Sequence, residues 1–559
     1  YTDVWASMGQ KEQSKETLAD LLGYGDQRIR LKAQFELVKR GKKGAIIFQD
    51  KIVQKENQLA RVHSIWGIGQ LAAKELTYAK VLLPLLKDSD PEIVAQTAKV
   101  FGDVRYTKAG RDLIPLLAHV HPRVQFFGAQ ALGRIKFNEA IDPLLAMLKA
   151  NNDEDVYVRH AGVLALSRIG NAERMIALAK NTTTSLRLVA ILVLRRLQHP
   201  GIVQFLNDSD EYLVTEAARA INDDWSIEEA LPQLAALLKE ERFTSEALLR
   251  RAINASSRLG GEAALKQVLD FAQRATVSKD LRQEALAAVG TWENPSLLDR
   301  VDGRYRGVIK RDLAPIQEIV AAELGAMLQE KDPVLLSSII AMMSNLEIAS
   351  YNSQLVHLLN TSKDSKVKSA VLDALVELKH ENIEEIIKVG MSDNSVLVRT
   401  TGLKYLNQLK ISKEGLPSIV EPIFKKGTLN EQQQVITALG EMPLENTSVI
   451  LDGLIDQMLL EKLSSGVLLE LVETIHKTKS EKLTVKLEAL MGNNYDAETY
   501  SETLYGGNIK KGENYFLTDN SGQCIKCHNI TGKDGTVGPN LANIGNILSR
   551  EQILEALIA

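Results

Sequence analysis

The sequence has little of what several fold classes need. It contains only two cysteines in 559 residues, which excludes a disulfide framework. Aromatic residues make up 5% of the chain and prolines number 14, which disfavours a β-sandwich or a β-propeller. Its uninterrupted apolar runs are too short to cross a bilayer. The composition that remains favours a helical protein rich in Leu, Ala and Ile.

The charge and the motifs of the sequence argue against two further functional classes, nucleic-acid binding proteins and enzymes with a recognisable catalytic motif. The net charge is −4, and the sequence shows no basic stripe and no interleaving of basic and aromatic residues, so nothing indicates nucleic-acid binding. It has no Ser/His/Asp set, no glycine-rich phosphate loop and no paired carboxylates in a motif. The sequence therefore predicts no active site for an organic substrate, and whether the chain belongs to an enzyme stays open.

One helical pattern returns from Ile29 to about His476. Three segments that begin at Val124, Val158 and Leu186 carry apolar or small residues at offsets 0, 3, 4, 7, 8 and 11, the stripe of an amphipathic helix. Most steps between such stripes are 27 to 36 residues, which is typical of a helical solenoid. The same register fits helices near Ile29, Val62, Val94, Leu213, Leu248, Leu281, Leu335, Val367, Val398, Gln432 and Leu468.

The segments around the stripes complete a two-helix repeat. A shorter apolar helix, such as the one predicted at 81–86, precedes each stripe. Asp90 and Asp332 are predicted N-caps, each followed by a proline at the first helical position, where a missing N–H costs nothing. Small residues in mid-stripe allow stacked helices to approach closely. This pattern resembles HEAT repeats.

A second signal, Cys524-Ile525-Lys526-Cys527-His528, lies near the end of the chain. A C-x-x-C-H run is the attachment signal of a c-type haem, in which two thiols bond to one porphyrin edge and the histidine binds the iron. A zinc site or a thioredoxin-like redox pair would use the same residue types. A second cysteine pair and a visible βαβ setting are both missing, so covalent haem c is the preferred interpretation.

The residues around this motif resemble a class I cytochrome c. The stretch from Gly507 to Phe516 is similar to the first helix of that fold, whose aromatic residue packs against the final helix. Gly538-Pro539-Asn540-Leu541 is similar to the loop after the motif, although an ordinary turn would also explain it. The resemblance implies that the proline carbonyl accepts a hydrogen bond from the proximal histidine. It also gives these expected haem-binding residues: Cys524, Cys527, His528 as iron ligand, Gly538, Pro539, Leu541 and Phe516.

The start of the next helix is predicted at Ser549, with Ser549 as N-cap. Cytochromes of this class usually have a methionine as distal ligand downstream of the motif, whereas the last methionine here is Met491. We therefore expect an incomplete cytochrome domain and assign no distal ligand.

Together the two signals predict an all-α protein, a HEAT-repeat α-solenoid followed by a small cytochrome c domain. The expected segments are an N-terminal tail at 1–15, a first HEAT block at 16–293, a connecting loop at 294–312, a second HEAT block at 313–490, a linker at 491–506 and a cytochrome-like domain at 507–559.

This order resembles a group of exported bacterial haem-binding HEAT-repeat cytochromes, common in Planctomycetes and Bacteroidetes. The matching HEAT stretches are 60–71, 123–134 and 216–223. The resemblance implies a periplasmic or cell-envelope location and an electron relay from a dehydrogenase domain or a redox partner protein. A scaffold in an envelope protein complex, with an auxiliary or sensing haem, is the alternative.

Three other groups of polar residues have less specific interpretations. His63 is expected to be a packed or capping histidine, and His119 and His121 are expected in a loop. Residues 216–224 and 250–254 carry a polar cluster that could bind a partner, but solvated helix ends are the simpler interpretation.

Overall fold

A computed structural model describes residues 13–491, 500–504, 506–518, 524–530 and 538–558. These ranges contain α-helices and 3-10 turns, and their β pairing is limited to two isolated bridges, Leu298 with Tyr305 and Asn529 with Asn540. No helix within them is long and apolar enough to span a membrane. The predicted all-α class is confirmed. Most of the predicted tail at 1–15 and of the linker at 491–506 lies outside the described residues.

The chain divides into two compact units, residues 1–255 and 256–559. Helices of the first unit are α1 Lys15–Leu21, α2 Gln27–Lys39, α3 Lys42–Ile52, α4 Gln58–Ala72, α5 Pro91–Asp103, α6 Gly110–Leu113, α7 Pro122–Arg134, α8 Ile141–Asn151, α9 Val156–Ile169, α10 Ala172–Ile176, α11 Thr184–Leu197, α12 Glu211–Asn222 and α13 Leu231–Ala236. Helix α14, Glu246–Leu259, crosses the boundary.

Helices of the second unit continue the series as α15 Gly261–Gln273, α16 Lys279–Gly290, α17 Leu313–Met327, α18 Pro333–Asn345, α19 Asn352–Thr361, α20 Ser365–Glu377, α21 Ile383–Met391, α22 Val396–Lys404, α23 Leu416–Lys426, α24 Leu429–Leu439, α25 Leu444–Leu459, α26 Leu468–Thr478, α27 Glu481–Met491, α28 Ile509–Thr518, α29 Ile544–Ile547 and α30 Arg550–Ile558. The predicted boundaries of the two HEAT blocks, 16–293 and 313–490, stay a prediction. The connecting loop predicted at 294–312 lies inside the second unit.

The predicted stripes form the cores of the second helices of the repeats. Val124, Val158 and Leu186, which begin three of them, are buried in α7, α9 and α11. In the first unit, α5, α7, α9 and α11 pack side by side in chain order. Each apolar stripe is therefore covered by its neighbours, as the solenoid prediction requires.

The predicted helix starts are also confirmed. Asp90 Oδ1 accepts from the backbone N–H of Glu92 at 2.9 Å, and Asp332 Oδ1 accepts from that of Val334 at 2.9 Å. Pro91 and Pro333 are the first residues of α5 and α18. A side-chain cap of this kind stabilises a helix by about 1 kcal/mol.

Several of the shorter first helices are 3-10 helices. The segment predicted at 81–86 is part of a 3-10 run, Leu76–Lys87, that contains Pro84. Proline lacks the N–H of an α-helical hydrogen bond and its ring crowds the preceding turn, so this apolar segment adopts the tighter helix.

The connecting loop is a packed structure. Asp299, whose side chain is buried, accepts from the backbone N–H groups of Val301 at 2.9 Å and Asp302 at 3.1 Å and from Arg306 Nε at 3.0 Å. Burial raises the pKa of this carboxyl, but these donors outweigh burial and lower it on balance. The loop is therefore ordered by a buried carboxylate.

The polar cluster near 222 and 254 is a buried network, so its interpretation as solvated helix ends is wrong. Asn254 Nδ2 donates to Asn222 Oδ1 at 2.9 Å, and both side chains are buried. Arg251 binds both carboxylate oxygens of Asp223, at 2.8 and 2.6 Å. These bonds join α12 to α14, because partners about 30 residues apart meet when repeats stack.

His63 is a packed histidine, as expected. It is 2% exposed, its Nδ1 lies 2.8 Å from Gln34 Oε1, and its Nε2 accepts from Arg30 Nε at 3.0 Å. Burial first, and then the positive charge of Arg30, lower the pKa of His63 to about 4.

The folded array should lose stability as pH falls from about 6.5 to about 4. In this window the unfolded chain binds a proton at His63 that the folded chain cannot accept. The loss should be roughly 2 kcal/mol, and His63→Gln should remove this part of the pH dependence. Chemical denaturation of both proteins at pH 7 and pH 4.5 measures it. Equal pH dependence of the two proteins would contradict the assignment.

Candidate haem site

The C-x-x-C-H motif forms one tight helical turn. A 3-10 turn covers Cys524–Lys526, and the N–H groups of Cys527 and His528 donate to the carbonyl of Cys524 at 3.2 and 2.9 Å. Residues three and four positions apart share one side of such a turn. Cys524 is half-buried and Cys527 exposed, so the turn presents two thiols and an imidazole together.

The histidine is oriented by the loop that follows. His528 Nδ1 lies 3.0 Å from the carbonyl oxygen of Pro539. A carbonyl can only accept, so Nδ1 carries the proton and the lone pair resides on Nε2. This fixed tautomer is the one a proximal iron ligand needs. The contact is the hydrogen bond that the resemblance to class I cytochromes implies.

Glycine at 538 is required by the close approach of this loop to the motif. Its N–H donates to the carbonyl of Cys527 at 2.7 Å, and a Cβ at this position would lie 2.7 Å from that oxygen and 3.0 Å from His528 Nδ1. The N–H of Leu541 donates to the carbonyl of Asn529 at 2.7 Å. These two bonds join the loop to the motif. An ordinary turn at Gly538-Pro539 would not require them.

The flanking helices appear where the resemblance places them. Helix α28, which carries the half-buried Phe516, packs against the 3-10 turn of the motif. Helix α30 starts after Ser549, whose hydroxyl accepts from Gln552 N at 3.3 Å while Gln552 Oε1 accepts from Ser549 N at 2.9 Å. The predicted N-cap is confirmed and forms a reciprocal capping box.

Large apolar side chains face solvent throughout this segment. They include Ile509, Tyr515, Leu517, Ile525, Ile547, Leu557 and Ile558. A set this dense is more than scattered surface residues account for, and exposed patches of this kind are typical of binding surfaces.

The residues fit a covalently bound haem. They supply two accessible thiols, one imidazole with its Nε2 lone pair available, and apolar surface for a macrocycle. In the described part of the chain, no group of three or more His, Cys, Asp and Glu side chains lies close enough to hold a metal ion. With two thiols beside it, His528 is a candidate iron ligand in combination with a porphyrin.

The segment before α28 is attached to the last HEAT helices. Gln433 Nε2, on α24, donates to the carbonyls of Gly466 at 2.8 Å and Gly507 at 3.1 Å. On the other side, Arg550 Nη1 of α30 donates to the carbonyl of Leu504 at 2.9 Å. Residues near 504–507 are therefore the joint between the array and the candidate haem segment.

A buried carboxyl lies under this joint. Glu470 on α26 is 9% exposed, and its Oε2 is buried with no hydrogen-bond partner among the described residues. Burial raises the pKa of Glu470, and the nearby charge of Glu473 raises it further. The sequence pattern did not single out Gln433, Gly506 or Glu470, because none belongs to a motif and their meeting depends on tertiary packing.

Gly506→Val should detach the candidate haem segment from the array. Gly506 has a φ of +99°, and a Cβ would lie 2.9 Å from the carbonyl oxygen of Gly466 and 3.0 Å from Leu469 Cβ. Limited proteolysis should release a C-terminal fragment faster from this variant, while the melting temperature of the HEAT array stays unchanged. Gly512→Ala is the matched control, because that position is open and helical. Equal cleavage rates in the two variants would contradict the joint.

Glu470→Gln should raise the melting temperature of the second unit at pH 7 and leave it unchanged at pH 4. A raised pKa means that this carboxyl favours the folded state when protonated, and that the benefit is lost as pH rises through the folded pKa. The amide of the Gln variant is uncharged at both pH values, as the protonated carboxyl of Glu470 is. Calorimetry of the two proteins measures this, and an unchanged melting temperature at pH 7 would contradict the buried-carboxyl assignment.

A family model of HEAT repeats matches residues 110–195. These residues are HEAT repeats. They cover α6 to α11, the part of the array where the apolar stripes are most regular. No curated protein matches the sequence at a significant level.

Several solved α-solenoid structures are similar to the chain. Kap95p, from a study of its binding to RanGDP, is 13% identical with a TM-score of 0.42, and the alignment covers 92% of this chain and 72% of Kap95p. Kap121p bound to Nup53p is 13% identical with a TM-score of 0.44, covering 86% of this chain and 55% of Kap121p. Yeast importin-β, Kap95p, is 12% identical with a TM-score of 0.37, covering 88% and 75%. This chain thus spans about half the length of Kap121p.

Proposed function

We propose that the chain is a c-type cytochrome that relays electrons through a haem bound at Cys524, Cys527 and His528. The observation that carries this proposal is the hydrogen bond between His528 Nδ1 and the carbonyl of Pro539. A free C-x-x-C-H turn would not need a second loop to fix its imidazole. Here Gly538 and Pro539 do this for one nitrogen and leave the other available for iron.

The chain's own residues have separate roles in this proposal. The two thiols provide the attachment points, and the Pro539 carbonyl holds the Nδ1 proton of His528, which raises the basicity of Nε2. Ile525 and the exposed apolar residues of α28 and α30 offer surface that can exclude water from a macrocycle. The haem supplies one-electron chemistry at its iron when bound.

The HEAT array serves as the scaffold that presents this redox segment. The joint at Gly506 and Gly507 attaches the segment to α24 and α26, so the array determines its position. We expect the electron donor to be a redox partner protein or a dehydrogenase domain. A covalently held haem suits an exported protein in the periplasm or cell envelope, where a released cofactor could not be recovered.

The test is an absorption spectrum of protein produced with a c-type haem maturation system. We expect a sharp α-band after dithionite reduction, and haem that stays on the polypeptide after acid–acetone extraction. Cys524→Ala with Cys527→Ala should lose the covalent haem. His476→Ala, which changes a histidine on α26 outside the motif, should keep it.

Three outcomes distinguish the proposal from its alternatives. A colourless protein with free or metal-bound thiols would contradict the haem assignment and leave a HEAT scaffold. Covalent haem that binds carbon monoxide but exchanges no electrons with a soluble mediator would contradict the relay and indicate a sensor. Covalent haem with reversible reduction supports the relay.

A further inference from the structure

Stacking brings cationic side chains together that are far apart in the sequence. Arg105 follows α5, Arg134 ends α7 and Lys136 follows it, and Arg168 and Arg196 lie in the last turns of α9 and α11. The first four line one groove of about 570 Å³. We call these five residues the basic strip. It lies within the first unit, on a chain whose net charge is −4.

Few carboxylates oppose this charge. Asp103 lines the groove, but it is already shared by Arg134 and by Lys99 Nζ at 2.7 Å. Arg105, Lys136, Arg168 and Arg196 form no ion pair with any described residue. At the end of the strip, Asp224 pairs with Arg195 instead of Arg196.

Arg168 shows that the strip has an unmet need for an acceptor. Its Nη1 is buried and has no hydrogen-bond partner among the described residues. Leaving such a donor unpaired is unfavourable. Burial first, and then the charges of Arg134 and Arg196, lower the pKa of Arg168, so the three guanidinium groups lie within electrostatic reach of one another.

Helix-dipole compensation does not account for this arrangement. A basic residue in a last turn is stabilised by the partial negative charge of the helix C-terminus, which suits Arg134, Arg168 and Arg196 one by one. That effect places each arginine near its own carbonyls, yet Arg168 Nη1 bonds to none of them. It also gives no reason for Arg105 and Lys136, which lie beyond their helices, to line the same groove.

We propose that the basic strip binds an extended acidic segment of a partner protein. Helices α5, α7, α9 and α11 pack side by side, and neighbouring axes lie about 8–10 Å apart, so three steps span about 25–30 Å. An extended chain advances about 3.3 Å per residue, so eight or nine residues cover that length. Alternate side chains of an extended segment point to the same side, so acidic residues at every second position present a row of carboxylates to the strip. This inference does not depend on the haem.

A peptide fits the strip better than nucleic acid. No aromatic side chain lines the groove that holds Arg105, Arg134, Lys136 and Arg168, and the one beside Arg196, Trp225, lies at the end of the strip, whereas base stacking along a strand needs successive aromatic residues. Carboxylates are suited to arginine, because its planar guanidinium binds both oxygens at once.

The experiment uses a fluorescein-labelled nonapeptide of alternating Glu and Ser, with the full chain and fluorescence anisotropy as the readout. We expect saturable binding that weakens with salt, no binding of the same peptide with Gln for Glu, and about tenfold weaker binding for Arg168→Gln and for Arg196→Gln. Arg174→Gln is the matched control, since Arg174 pairs with Asp142 at 3.0 Å away from the strip. It should bind the peptide as the unchanged protein does.

Four results would overturn the inference. They are no binding of the acidic peptide, equal loss in the Arg174 control, unchanged binding in both strip variants, and tighter strip-dependent binding of a labelled oligothymidylate. The last would assign the strip to nucleic acid. Thermal melts show whether the variants are folded. Arg168→Gln should not lower the melting temperature, because it removes an unpaired buried donor. A large decrease with unchanged peptide affinity would show a purely structural arginine.

Discussion

The whole chain depends on one constraint: a HEAT helix pair cannot bury its apolar stripe alone. The contact between pairs is close enough to need small residues, since a Cβ at Gly102 would lie 2.8 Å from Ala131 Cα and one at Gly133 would lie 2.5 Å from Ala165 Cα. Each pair is therefore stable only when its neighbours are present. The buried network of Asn222 and Asn254 adds directional bonds to this packing, which fix how one repeat sits on the next.

The candidate haem segment depends on the array in turn. Its large apolar residues are mostly exposed, so the segment has little core of its own. Hydrogen bonds to backbone carbonyls hold it near the array. Gln433 donates to the carbonyl of Gly507, and Arg550 donates to that of Leu504. Hydrogen bonds to backbone carbonyls constrain position without requiring particular side chains on the partner segment, which is why the joint uses glycine where the two parts come closest.

Local patterns in the sequence predicted the features that local physics determines. The 3.6-residue period predicted α7, α9 and α11, and Asp90, Asp332 and Ser549 predicted helix starts, because capping involves neighbours in the chain. Features that depend on stacking were missed or misjudged. Asn222 and Asn254 looked solvated, and the sequence showed no basic stripe, because Arg105, Arg134 and Arg168 are about 30 residues apart and meet only after repeats pack.

The joint at Gly507 has a mechanical consequence. Gln433 bonds both to the carbonyl of Gly466, next to the following repeat, and to that of Gly507. Repeat arrays deform by small slips between neighbours, and a hydrogen bond tolerates only a few tenths of an ångström before it weakens. A slip between α24 and α26 would therefore stretch this amide bridge. Bending of the array and the position of the chain at Gly507 are thus linked through this joint.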